Sequence, residues 1–136
     1  MQKPSVLMVV EDDIHIRTVI SEVLEGEGYI VNEASNGEEA LAAVSKHSPD
    51  LILLDLQMPV MSGWTFMSEI QRKGTKVPVI IVSAQISSIE QAKKLGAVDC
   101  LGKPFELDDL LDKVARYCKH LPPTTIRSEQ RPGDNL

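Results

Sequence analysis

"LILLDLQMPVMSG", residues 51–63, decides how this chain is read. Leu51, Ile52, Leu53 and Leu54 are an unbroken aliphatic run of strand length, without the polar alternation of a strand that faces water on one side. Such a strand is covered on both faces, which points to a parallel sheet between two helical layers. The run then ends on Asp55. A carboxylate at the margin of an apolar core is costly unless something compensates it.

Outward from this stretch, apolar runs alternate with segments of helical period. Ser5 to Val10, Tyr29 to Ala34, Val77 to Ser83 and Cys100 to Lys103 read as the other four strands. Ile16, Val19, Ile20, Val23 and Leu24 recur at helical spacing, as do Leu107, Leu110, Leu111, Val114 and Ala115. Asn36, followed by Gly37, Glu38 and Glu39, suits a helix N-cap with acids in the first turn. Gly28 and Gly96 stand where helices should stop. Five strands alternating with five helices predict a doubly wound, flavodoxin-like α/β fold with a parallel sheet of order 2-1-3-4-5 and helices on both faces.

Composition narrows the function. A length of 136 residues suits one domain with its own core. Cys100 and Cys118 form no CxxC pattern, which argues against a disulfide framework or a zinc site. Net charge is −6, and no basic stripe with interleaved aromatics suggests a nucleic-acid surface, so no direct nucleic-acid partner is expected. No apolar segment is long enough to span a bilayer, and a soluble, cytoplasmic protein without membrane contact is expected. From Pro122 the chain loses periodicity; residues 1–121 are expected to form the domain, and 122–136 a flexible tail or linker stub.

In an open α/β sheet, ligands bind beyond the carboxyl ends of the strands. The first strand leads into Glu11, Asp12 and Asp13, the third into Asp55, the fourth ends on Ser83 and the fifth on Lys103. Taken singly, each has a plain structural role: an Asp before a helix caps it, as expected for Asp13, and a strand-end Lys is a surface cation. Together they place several carboxylates, a hydroxyl and an amine at one edge of the sheet. Crowded carboxylates repel unless a cation sits among them, and an all-oxygen donor set suits Mg²⁺ or Mn²⁺. Asp55 then suits a carboxylate nucleophile that forms an aspartyl phosphate, with Lys103 neutralising phosphoryl oxygens and Ser83 donating a hydrogen bond.

"VLMVVEDDIHIR" (6–17), "DLQMPVMSG" (55–63), "VIIVSA" (79–84) and "GAVDCLGKPF" (96–105), in their order and spacing, resemble the receiver domain of two-component response regulators over roughly Ser5 to Leu121. The resemblance implies that Asp55 accepts the phosphoryl group and that Ser83 and Lys103 assist. It also implies that Asp12 binds Mg²⁺ directly, Glu11 through water, and Gln57 through its main-chain carbonyl. A sensor histidine kinase or histidine phosphotransfer protein is the implied donor. The implied output is a downstream protein bound at the fourth helix, fifth strand and fifth helix, with homodimerisation on phosphorylation as one form of it. The domain would catalyse its own phosphorylation and a slow hydrolysis, while acting chiefly as a switch.

Lys103-Pro104 corresponds to a peptide bond that is often cis in this family, and Ala84 to a small residue beside the phosphoryl pocket. Cys100 departs from the pattern, standing where the family commonly has Tyr or Phe. The signal is therefore expected to travel mainly through the Ser83 loop and the helix after it. That helix, "QISSIEQAKKLG" (85–96), has Ser87 and Ser88 near its start and only Ile89, Ala92 and Leu95 as an apolar row.

Rival readings fit less well. A cobalamin-binding loop needs a glycine where Thr18 stands, and a dehalogenase-type phosphatase needs a second acid where Gln57 stands. Gly26 and Gly28 lie too far from the first strand for a dinucleotide fold. The alternative of a different class is a phosphorylation-independent pseudo-receiver that acts only by binding other proteins.

Overall fold

Alternation within the central strands builds the core on both sides of one sheet. The structure is a computed structural model and describes residues 3–85 and 89–118. The expected tail of 122–136, and Ser87 and Ser88, lie outside the described residues. The strands are β1 (Val6–Val10), β2 (Ile30–Ala34), β3 (Leu51–Leu54), β4 (Val79–Ser83) and β5 (Asp99–Gly102). They form a parallel sheet of order β2-β1-β3-β4-β5, as the sequence predicts. Between them run α1 (Ile14–Gly26), α2 (Gly37–Lys46), α3 (Gly63–Arg72), α4 (Ile89–Lys94) and α5 (Leu107–Tyr117).

Leu7 and Val9 of β1, Leu51 and Leu53 of β3 and Ile80 and Val82 of β4 face α1 and α5, packing with Ile20, Leu24, Leu110 and Val114. Their neighbours Met8, Val10, Ile52, Leu54, Val79 and Ile81 face the other way, onto Ala40, Val44, Phe66, Met67, Ile70 and Ala92 of α2, α3 and α4. A slip of one residue in any central strand would exchange the two sets, so the buried faces fix the register. Each fully buried aliphatic side chain contributes about 1.5–3 kcal/mol against exposure.

The helix starts follow local chemistry. The Asp13 carboxylate accepts the N–H groups of His15 (2.9 Å) and Ile16 (3.2 Å), capping α1 as expected. Asn36 accepts from Glu39 N at 2.9 Å and Ser62 from Thr65 N at 3.3 Å, capping α2 and α3. Gly28 (φ 97°) and Gly96 (φ 92°) take the left-handed conformation just past α1 and α4, where a side chain would be strained.

Several expectations shift, the first and second strands each starting one residue late, at Val6 and Ile30. The fourth strand starts at Val79 rather than Val77, because Pro78 has no N–H to give the ladder, although its carbonyl accepts from Ile52 N. The fifth starts one residue early, on buried Asp99, and Lys103 falls just beyond its end. Val19 was expected in the buried stripe of α1 but is 49% exposed, since Ile20 and Leu24 already fill the contact with the sheet. Of the expected apolar row on α4, Ala92 is buried, Leu95 is half-buried and Ile89 is exposed. Among the described residues, no helix is long and apolar enough to cross a membrane.

Candidate functional site

Parallel topology brings the ends of β1, β3, β4 and β5 to one rim. Glu11 follows β1 directly; its N–H donates to Ala34 O of β2 at 3.0 Å, and it is buried. Asp55 follows β3; its N–H donates to Val10 O at 3.0 Å, extending the ladder by one step beyond the strand. Each carboxylate is thus held by main chain already fixed in the sheet. Oxygens of Glu11, Asp12 and Asp55 lie within 4.8 Å of one another, with Asp12 the exposed member. Three hard oxygen donors at that spacing fit a divalent cation such as Mg²⁺.

Lys103 reaches this cluster from the far side of the sheet. Its Nζ lies 2.6 Å from Glu11 Oε1 and 3.5 Å from Asp55 Oδ2. Glu11 Oε2 also accepts the N–H of Asp13 at 3.1 Å. Burial pushes the Glu11 carboxyl above its ordinary range and the charge of Asp55 adds to the push, while Lys103 and the Asp13 N–H pull back. Burial alone would lower the Lys103 ammonium, but the hydrogen bond and charge of Glu11, with Asp55, outweigh it and hold Lys103 firmly protonated.

Asp55 keeps one oxygen toward Lys103, while the other accepts the N–H of Gln57 at 3.3 Å. Gly63, at the start of α3, is required by the backbone of Asp55 and Leu56. A methyl group there would meet the main-chain oxygen of Asp55 and lie 2.7 Å from Leu56 Cα. The Ser83 hydroxyl, buried at the end of β4, accepts from Gln85 N at 3.1 Å; it flanks the acids rather than joining them. The Lys103 N–H donates to Ser83 O at 3.3 Å, so the two strand ends are tied together. The Lys103-Pro104 peptide is cis. Cys100 packs in the core on the α4 side with Ala92 and Ala97.

Two features were not read from the sequence. The Glu11–Lys103 ion pair joins residues 92 positions apart, and both had been given separate tasks. In addition, a groove of about 570 Å³ opens beside Lys103, bounded by Ile16, Val19 and Ile20 of α1 and by Pro104, Phe105 and Leu107. Val19, about half exposed, forms part of its α1 wall.

Comparison with known proteins agrees with this geometry. The model of the response regulator receiver domain matches residues 7–115. Sporulation initiation phosphotransferase F of Bacillus subtilis is 36% identical over 113 residues, which are 82% of this chain and 91% of that protein. The DNA-binding transcriptional regulator NtrC of Salmonella typhimurium is 36% identical over 117 residues, but these are 85% of this chain and only 25% of that regulator. Among solved structures, a Francisella response regulator receiver domain aligns with TM-score 0.78 at 30% identity, over 83% of this chain and 95% of its own. The chemotaxis protein CheY4 of Vibrio cholerae aligns with TM-score 0.77 at 32% identity, over 85% and 99%.

Proposed function

The chain belongs to the response regulator receiver domain family, the phosphoryl-accepting modules of two-component signalling, and from that premise we propose that Asp55 is the phosphoryl acceptor. The observation that carries this reading is the position of Asp55. It is a buried strand-end carboxylate with Lys103 Nζ at 3.5 Å on one oxygen and two further acids beside it.

In the proposed step, a carboxylate oxygen of Asp55 attacks the phosphorus of a phosphohistidine on a kinase or phosphotransfer protein. An O–P bond forms, the N–P bond breaks, and the electron pair leaves on the imidazole nitrogen, which takes up a proton. Lys103, already protonated by its acidic neighbours, is positioned to follow the negative charge from Glu11 onto the arriving phosphoryl oxygens. Ser83, whose Oγ accepts from Gln85 N, can turn its own O–H to donate to another of those oxygens. Glu11, Asp12, Asp55 and the main-chain carbonyl of Gln57 would hold Mg²⁺ or Mn²⁺; when bound, the ion supplies charge neutralisation for the phosphoryl group.

Receiver domains work between a phosphodonor protein and a downstream effector. For this chain, the groove beside Lys103 gives a protein donor an apolar seat next to the acceptor. The output face assigned here is α4, β5 and α5. Since Cys100 has no ring to swing, the signal would leave through the Ser83 loop and α4, whose small buried contact makes it easy to shift.

Intact-protein mass after incubation with acetyl phosphate, with and without Mg²⁺, tests this. A single phosphoryl adduct that needs Mg²⁺ and is absent from Asp55→Asn is expected. No adduct from folded protein, with phosphoramidate tried as well, would overturn the reading in favour of a module that only binds other proteins.

A further inference from the structure

Arg17 sits one turn into α1, outside the acidic cluster, yet its guanidinium is spent on it. Nη1 donates to the main-chain oxygen of Glu11 at 2.8 Å, and Nε donates to Glu33 Oε1 of β2 at 2.9 Å. The side chain is only 15% exposed. We infer that Arg17 is a positioning residue for the metal-binding turn, and the inference rests on the reading of Glu11 and Asp12 as cation ligands.

The oxygen that Arg17 holds belongs to the peptide unit joining Glu11 to Asp12. That unit is planar, so fixing its oxygen fixes the orientation of the plane from which both acids depart. β1 ends at Val10, so the ladder that orients the earlier carbonyls stops one residue short of this one. A carbonyl withdrawn from water at that point needs a donor, and Arg17 supplies it. Glu33 holds the other edge of the guanidinium, anchoring the donor to the sheet. A planar fork serves two acceptors in two directions at once, which the single ammonium of a lysine does not do.

Direct electrostatics and positioning predict opposite signs here. Arg17 is a cation near a cation site, so deleting its charge should by Coulomb's law tighten divalent binding. Deleting its hydrogen bond should loosen the turn and weaken binding. Only the second outcome follows if the residue works through the geometry of Glu11 and Asp12.

The test is Mn²⁺ binding by the full chain, read from loss of the free-ion electron paramagnetic resonance signal, with thermal unfolding of the metal-free protein measured in parallel. Outer partners that orient ligands typically shift metal affinity by about tenfold or more, and that is the weakening expected for Arg17→Ala. Arg17→Lys, which keeps the charge and loses the fork, should fall between Arg17→Ala and the parent. Binding by Arg17→Ala equal to or tighter than the parent's would overturn the inference, whatever its melting temperature. If Arg17→Ala does not fold, Arg17→Lys decides alone: weaker binding supports the role, and parental affinity overturns it. A parent chain that binds no Mn²⁺ would overturn the metal site itself, and this inference with it.

Discussion

At the amino end of β5, the carboxylate of Asp99 is buried among donors: Cys100 N at 2.8 Å, Lys113 Nζ at 3.0 Å, the Tyr117 hydroxyl at 3.0 Å and Arg116 Nη1 at 3.6 Å. Just past the other end of the same strand, Lys103 faces Glu11 and Asp55 with Asp12 close by, and among the described residues it is the one cation in contact with those carboxylates. The first cluster sets two cations against one acid; the second sets one against three. Burial works against the charge of Asp99, yet its donors win and hold that carboxyl below its ordinary value, whereas Glu11 stands above its own. A carboxylate satisfied by its own chain is a structural part. A set left short of positive charge is built to receive it from outside, as a metal ion in the proposed reading.

The contrast extends to the backbone. The left-handed turns leading into the amino ends of the strands are taken by Gly28, Gly74 and Gly96, the residue type that adopts them without strain. At the carboxyl rim, in the loop between Asp55 and α3, the left-handed position is held by Val60, at φ 68°. Local rules are kept where the chain only has to fold and broken next to the proposed chemistry.

If the two clusters differ in this way, substitutions should separate stability from ion binding. Asp99→Ala removes the acceptor shared by two cations, a hydroxyl and a buried main-chain N–H, and should cost about 2–3 kcal/mol in urea unfolding. It should leave Mn²⁺ affinity within about twofold, since an effect below 0.4 kcal/mol is all that a site at the opposite end of the strand should transmit. Glu11→Gln should do the reverse. Loss of one ligand charge should weaken the ion about tenfold, with stability moving by less than about 1 kcal/mol because the lost ion pair is offset by relief of a buried charge. Equal stability losses in both variants would erase the distinction.

The same pair should part along the pH axis in metal-free protein. Glu11 is raised above its ordinary 4.5, so the native state holds that proton more tightly than the unfolded chain. Its contribution is full below 4.5 and is lost as pH rises through the native value. Asp99 is lowered below its ordinary 3.8, so its contribution is present above 3.8 and is lost as pH falls through the native value. Urea midpoints taken from neutral to strongly acidic pH should therefore lose their mild-acid gain in Glu11→Gln and part of their steep acid loss in Asp99→Ala. Identical profile shapes in parent and variants would contradict both directions.

This asymmetry also explains what the sequence could tell. The order of the sheet follows from aliphatic strands in strict alternation with helices, and that order alone carries Glu11, Asp55, Ser83 and Lys103 to one rim. Gly28 and Gly96 were legible because glycine past a helix has one common use. Asp99 was not, since its partners Lys113 and Tyr117 lie 14 and 18 residues on, in a helix where any charge could equally face water. The pairing of Lys103 with Glu11 was hidden because strand order gives positions at a rim, not how far a long side chain reaches across it. Val60 was invisible for a sharper reason: its β-branched side chain argues for extended backbone, and only the loop around it forces the opposite.

Val60 gives the smallest test and the one aimed at the backbone half of the contrast. The residue is 76% exposed, so replacing its side chain forfeits little packing. A left-handed L-residue costs about 1–2 kcal/mol, while glycine's extra freedom in the unfolded chain takes back about 0.5–1 kcal/mol. Val60→Gly should therefore raise stability by about 0.5–1 kcal/mol, read as a melting temperature higher by a few degrees, with Mn²⁺ affinity unchanged. A lower melting temperature would mean that the loop is not strained at Val60. The two rims would then differ in charge alone, and the backbone beside Asp55 would carry no sign of the chemistry proposed there.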